Sequence, residues 1–172
     1  MNEGPLAGLR VLELADERNQ FCGKLMADLG ADVISIEPPG GGAHRNIGPF
    51  YDDEPDPNRS LSYWYYNTSK RAVTLDINRP RGRTLLASLA ATADVILESF
   101  APGFMGGLKL DYATLSKANR GLVYCSLTPF GQDGPWAHYQ TTDLLHMAAG
   151  GQMSSCGYDS DDDPDNTPIA PG

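Results

Sequence analysis

Cysteine is scarce in this chain of 172 residues: there are three, Cys22, Cys125 and Cys156. They are odd in number and far apart, with no Cys-x-x-Cys and no paired histidines. That argues against a disulfide frame and a zinc site, and for a reducing, cytoplasmic setting. Cations are also few. Lys and Arg total 13 against 22 Asp and Glu, a net charge of −9. A nucleic-acid surface needs clustered cations, so none is expected. No apolar run approaches the ~18 residues of a membrane span, so no membrane contact is expected. Met1-Asn2-Glu3-Gly4-Pro5 carries neither a basic nor an apolar leader region, so no signal peptide is expected.

Several catalytic signatures are absent too. No Gly-x-Ser-x-Gly elbow occurs. Gly40-Gly41-Gly42 lacks the Gly-Lys-Ser/Thr of a phosphate loop. The first strand-to-helix turn, Ala15-Asp16-Glu17-Arg18-Asn19, has no Gly-x-Gly-x-x-Gly, and Asp16 and Glu17 would repel a pyrophosphate. NAD or FAD is therefore not expected, although Glu37 closes the second strand where such folds place a ribose-binding acid. His44, His138 and His146 have no nucleophile beside them. His146 follows Asp143 by three on a helix, and the plain reading is a packed or solvated residue. The acids Asp159, Asp161, Asp162, Asp163 and Asp165 lack the spacing of a calcium loop and read as solvated. No metal site is expected.

What is present is alternation. Leu9–Leu14 reads as a strand, and a helix follows from Gln20, with Phe21, Leu25, Met26 and Leu29 at helical spacing and Gly30 at its C-cap. Ala31–Glu37 is the second strand. Pro38 to Gly42 break it, and a long loop covers 40–60. Leu61–Tyr66 is rich in aromatic residues and reads as a helical turn packed on the core, or as the wall of a flat ligand's site. Lys70 and Arg71 then lead into a buried strand over Val73–Ile77. The next helix begins near Pro80, with Leu85, Leu86, Leu89 and Ala90 as its apolar stripe. Ala93–Glu98 and Leu122–Leu127 are further strands, with a short helix over Tyr112–Asn119 between them. A turn-rich loop precedes a last helix over Asp143–Ala149, and 154–172 is an irregular acidic tail. The expectation is one α/β domain over 1–172, with a mainly parallel sheet and flanking helices. Its ligand belongs at the carboxyl ends of the strands.

Five blocks in this order resemble the family III CoA-transferases, the family of formyl-CoA transferase and carnitine CoA-transferase. They are Pro5–Leu14, Met26–Gly40, Asn67–Asp76 with its Lys70-Arg71 pair, Ala93–Gly103, and Leu122–Ser126 followed by Phe130–Pro135. The resemblance implies a Rossmann-like CoA-binding domain, incomplete at its C-terminal end, and a homodimer when full length. It implies CoA or acyl-CoA as substrate, with no tightly bound cofactor, and a carboxylic acid as second substrate. It also implies covalent catalysis by an aspartate, through an acyl anhydride and an enzyme thioester. By the family's spacing that aspartate falls beyond residue 172, so no catalytic residue is assigned.

The same resemblance carries over CoA contacts at Leu75, Asp76, Ile77 and Asn78, at Ser99, Phe100 and Ala101, and in the stretch from Tyr139. Lys70, Arg71 and Arg18 are the candidate cations. Pro38 stands where the family often has Lys or Arg, and Gly107 where formyl-CoA transferase has an Arg. Two alternatives remain. An α-methylacyl-CoA racemase would need a His before Asp143, where Thr142 stands. A non-catalytic CoA-binding or structural module is the other.

Overall fold

In a computed structural model of the chain, residues 3–14 and 16–156 are described. The chain divides into two units, 1–128 and 129–172. The first holds a five-stranded sheet. Its strands are β1 (Arg10–Leu14), β2 (Asp32–Glu37), β3 (Arg71–Thr74), β4 (Val95–Glu98) and β5 (Val123–Ser126). Their order is β3-β2-β1-β4-β5, and every pairing is parallel. The expected α/β fold with a parallel sheet is therefore present. Strand β1 is central, with β2 leaving it on one side and β4 on the other. A crevice opens where a sheet's winding reverses in this way.

Helices α1 (Gln20–Asp28), α2 (Leu61–Tyr66), α3 (Pro80–Ala90), α4 (Phe104–Gly107) and α5 (Tyr112–Leu115) connect the strands. Side chains alternate between the faces of a strand, and the two faces here differ in chemistry. Leu12, Leu14, Ile36 and Ile96 join Leu86 and Ala90 of α3 and Leu115 of α5 in the larger core. Val11, Val33 and Leu97 meet Ala27 of α1 and Ala31 on the other face. That second face also carries Glu13, Ser35 and Glu37, all buried.

Three expectations change. Strand β3 begins at Arg71 and ends at Thr74, and all four of its residues are exposed. It pairs only with β2, so it is an edge strand rather than a buried one, and Leu75–Asn78 form the loop after it. In α1, the stripe of Phe21, Leu25 and Leu29 is outward, each close to half exposed. The buried positions are Gln20, Gly23 and Ala27. Periodicity shows which residues share a helix face but not which way it points. Here the inner face must be narrow, because a Cβ on Gly23 would come within 1.9 Å of the Glu13 carboxylate. Finally, the 40–60 loop is tied down. It contains short 3-10 turns at Ala43–Asn46 and Tyr51–Asp53. The fully buried Ser60 donates to the Ile47 carbonyl at 2.5 Å and accepts from the Tyr63 N–H, capping α2.

Gly30 does cap α1, at φ 100°, where a left-handed residue closes a helix without Cβ strain. In the second unit, α6 (Asp143–Ala149) forms as expected. Phe130 meets the edges of Trp136, Tyr139 and His146 there. The acidic run 159–165 lies outside the described residues.

Gly82 sets the approach of α3 to the loop after β3. A Cβ there would stand 1.8 Å from the Asp76 carbonyl oxygen, which is backbone and cannot step aside. Gly82→Ala should lower stability by about 1–3 kcal/mol, because overpacking outweighs alanine's higher helix propensity. Urea denaturation reads this directly. An unchanged or raised midpoint would show that α3 is free to move outward.

Candidate active-site cleft

A cavity of about 170 Å³ lies at the carboxyl ends of the first four strands. Leu14 comes from the end of β1, and Ile36 and Pro38 from β2 and its exit. Leu75, Asp76, Ile77 and Asn78 come from the loop after β3, and Phe100 and Phe104 from the turn after β4 and the start of α4. Its walls are mostly apolar. Phe100 and Phe104 form a tilted aromatic pair with centroids 4.7 Å apart. The polar groups are the Asp76 carboxylate and the Asn78 amide. Asp76 accepts from the Asn78 N–H at 3.0 Å, which stiffens the loop. Among the described residues no cation lines the cavity. Its size falls below the ~300 Å³ of a site that swallows a whole drug-sized ligand. It suits one flat ring system with a polar edge.

The structure brings Leu75, Asp76, Ile77, Asn78 and Phe100 together there and puts the other candidates elsewhere. Ala101 follows Phe100, is exposed, and accepts the Phe104 N–H that opens α4. Ser99 and Arg18 meet on Asp16. The Ser99 hydroxyl donates to the Asp16 carboxylate at 2.7 Å, while the Arg18 guanidinium folds back onto the same group. Burial would raise the Asp16 carboxyl, but the bonds from Arg18 and Ser99 overcome it and hold it below its usual range. Tyr139 belongs to the second unit, where it stacks on Trp136 at 6.5 Å.

Lys70 and Arg71 are scaffold cations. The Lys70 ammonium donates to both Glu13 oxygens at 2.9 and 2.8 Å, to the Gln20 carbonyl at 2.8 Å and to Asn67 Oδ1 at 2.9 Å. Its side chain is 2% exposed and that of Glu13 0%. Glu13 alternates with Leu12 and Leu14, so this pair lies on the sheet face opposite the cleft. Burial pushes the Glu13 carboxyl up to about 7, with Lys70 pulling it back, and pushes the Lys70 ammonium down. Arg71 sits at the amino end of β3. It forms a two-pronged bond to Asp32 at 2.8 and 2.7 Å, and Arg10 joins the same acid at 3.1 Å.

Glu37 is likewise committed to the scaffold. Arg45 donates to it at 2.5 and 2.7 Å, the Gly42 N–H at 2.9 Å and the Tyr63 hydroxyl at 3.1 Å. The Arg45 guanidinium lies 3.9 Å from the Tyr63 ring centre. An acid held this way has no free lone pair for a ribose hydroxyl. This network also anchors the 40–60 loop, and the Tyr63 of the aromatic α2 helix serves it rather than a ligand.

Known proteins resemble this chain in sequence and in fold. Residues 6–172 match the family model described as CoA-transferase family III. The chain belongs to that family. Among relatives of this family III chain is the succinyl-CoA:(R)-benzylsuccinate CoA-transferase subunit BbsE of Thauera aromatica. It is 40% identical over 152 residues, which are 88% of this chain and 37% of that protein. The succinate–glutarate CoA-transferase of Agrobacterium fabrum is 38% identical over 98% of this chain and 42% of its own length. A crystal structure of a CAIB/BAIF family protein from Brucella suis superposes with a TM-score of 0.84 at 39% identity, covering 100% of this chain and 44% of that one. The chain thus spans about two fifths of the length of the curated relatives it matches.

Sequence reasoning missed three residues of the cleft in this family III chain, Leu14, Ile36 and Phe104, and had placed Pro38 only at a position where the family often has a cation. Leu14 and Ile36 were readable as strand residues, but only the strand order places them beside one another. Phe104 lies on a four-residue helix, too short to show a period.

Two outcomes test the scaffold. Lys70→Met strands a buried carboxylate and should cost about 3–5 kcal/mol, whereas Glu13→Leu/Lys70→Met should recover most of the loss. Denaturant titration of the four proteins completes the cycle, and additive losses would show that the pair does not act as a unit. The second outcome concerns pH. Burial raises the Glu37 carboxyl, but Arg45, the Gly42 N–H and Tyr63 prevail and hold it at about 2, against an ordinary 4.5. A folded value below the unfolded one adds stability above 4.5, and that stability fades as pH falls toward 2. Between 4.5 and about 2, wild type should lose stability more steeply than Glu37→Gln. Parallel slopes in urea midpoint against pH would exclude Glu37 as a source of acid sensitivity.

Proposed function

We propose that this chain is the CoA-binding part of a CoA-transferase, and that the cleft at the strand ends takes the adenosine end of CoA. The observation that carries this reading is the convergence of Leu75–Asn78 and Phe100 on one apolar cavity, at the place where a doubly wound sheet holds a nucleotide. A purine ring suits the Phe100–Phe104 side, and Asp76 and Asn78 offer an acceptor and an amide to its polar edge or to the ribose.

The reaction moves CoA from one carboxylic acid to another. An aspartate supplied by the full-length protein attacks the thioester carbonyl. CoA thiolate leaves and an anhydride forms. The thiolate returns to the enzyme's carbonyl, freeing the first acid and leaving an enzyme thioester. The second acid repeats the exchange in reverse, so one thioester breaks, another forms, and the aspartate is restored. The thiolate must not drift away between these steps. A nucleotide gripped in a remote cleft keeps it in place, which is how distant binding energy serves a reacting centre. The names of the Thauera and Agrobacterium relatives refer to succinyl-CoA and succinate, so a succinyl group is the first acyl donor to try.

A second copy of the full-length protein completes the reading, in the cytoplasm. The outward apolar stripe of α1 and the free state of Cys22, Cys125 and Cys156 support these two parts respectively. The racemase alternative is weaker. The Thr142 side chain accepts the Leu145 N–H and caps α6, so a helix-capping hydroxyl stands where that chemistry needs a base.

The test uses full-length protein and its Asn78→Trp variant. Asn78 is exposed and lines the cleft, so the indole fills the cavity while sparing the core. CoA should bind wild type and bind the variant at least about tenfold more weakly, the loss expected from removing a well-packed anchor. Equal affinity would sink the cleft assignment. Labelled succinate should exchange into succinyl-CoA with wild type, whereas binding without exchange would favour the non-catalytic module.

A further inference from the structure

Adenosine suits the cleft, but CoA also carries phosphates, and none of the described residues lining the cavity is positively charged. Pro38 lines the cleft and offers no charge, and Gly107 has no side chain at all. In a chain of net charge −9, a phosphate needs cations close by. Two cations that touch the cleft's own residues stand at the start of α3: Arg79 is its N-cap residue and Arg83 lies in its first turn. Arg79 Nε lies 3.5 Å from the Asp76 carboxylate, with an Arg79 side chain 80% exposed. Arg83 Nη1 donates to the Asn78 carbonyl at 3.0 Å. Asp76 and Asn78 are both cleft residues. The Arg83 N–H donates to the Arg79 carbonyl at 3.0 Å, so the two residues stand one turn apart at the entry to the helix. The close approach of Gly82 to the Asp76 carbonyl brings that entry against the rim.

We propose that Arg79 and Arg83 bind the phosphate groups of CoA at the rim of the cleft, and so distinguish CoA from unphosphorylated adenosine. This rests on the nucleotide reading of the cleft. Among the described residues Arg79 is ion-paired with Asp76 alone, at 3.5 Å, a contact long enough for its guanidinium to turn from that acid to a phosphate. Arg83, fixed on a carbonyl, keeps donors on its other nitrogens. A guanidinium matches two phosphate oxygens at once, and such charge-assisted bonds are the strong ones. The Asp76 carboxylate beside them is neutralised by Arg79 while the cleft is empty. When phosphate draws Arg79 away, Asp76 keeps the Asn78 N–H and is released to accept from the ribose.

The experiment is equilibrium binding of CoA and of adenosine to the full-length protein. It compares wild type with Arg79→Gln/Arg83→Gln, with Arg79→Lys/Arg83→Lys, and with Arg120→Gln as a control for net charge away from the cleft. The Gln variant should lose about 10- to 100-fold in CoA affinity, the effect of losing a charge-assisted hydrogen bond. Its adenosine affinity should be unchanged. The Lys variant should recover part of the CoA loss, Arg120→Gln should match wild type, and the salt dependence of CoA binding should be shallower in the Gln variant. Unchanged CoA affinity in the Gln variant would overturn the proposal and leave the cleft reading standing. An equal loss for CoA and adenosine would overturn it too, since that marks a damaged cleft rather than a lost phosphate contact. Wild type that binds neither ligand would overturn the cleft reading, and this inference with it.

Discussion

The ion pair between Lys70 and Glu13 is the constraint around which the first unit is built. It joins the central strand to the residue just before the edge strand β3, and it reaches α1 and the end of α2 through the Gln20 carbonyl and Asn67. Two buried charges are costly unless their remaining bonding capacity is filled. That demand explains several choices around them. Four oxygens surround the ammonium, the Asn67 amide is itself held by a bond to Gln20 Oε1 at 3.1 Å, and α1 presents a glycine to the carboxylate rather than a larger side chain. The outward position of Phe21, Leu25 and Leu29 follows from the same demand, since the space beneath the helix is taken by polar atoms.

The sheet therefore separates two kinds of work. One face carries Glu13 and Glu37, the first paired with Lys70 from 57 positions along the chain and the second with Arg45 from the loop just after β2, and holds connections in register. The opposite face is apolar except for Glu98, buried at the end of β4 and accepting the Phe100 N–H at 2.8 Å, and at the strand ends it opens into the cleft. A ligand on that side meets hydrocarbon and aromatic walls with few fixed charges. It gains from leaving water, while Glu13 and Glu37 stay paired on the other face.

Much of this was legible in the residues. Short apolar runs with β-branched residues, separated by helical spacing and glycine stops, gave the strands and their parallel arrangement. Leu75–Asn78 and Phe100 were accessible because strand ends are where such folds bind, and because the family resemblance pointed to the same positions. Lys70 was the hardest to read. A Lys-Arg pair before a strand looks like a site for an anion, and nothing local reveals that a glutamate 57 positions away lies across the sheet from it. Arg71 was misleading for a simpler reason: it is at the amino end of its strand, away from the cleft. The exposure of β3 was hidden as well, because Ala72 and Val73 have the same composition in an edge strand as in a central one.

The bare contact between Gly82 and the Asp76 carbonyl has a kinetic side. It leaves no flexible side chain between the wall of the cleft and a helix whose Leu86 is fully buried. Loop and helix meet there backbone to backbone. A molecule arriving at this wall meets a finished surface, so its capture is governed by encounter and orientation rather than by waiting for a segment to fold over it. Its departure is governed by the breaking of contacts alone.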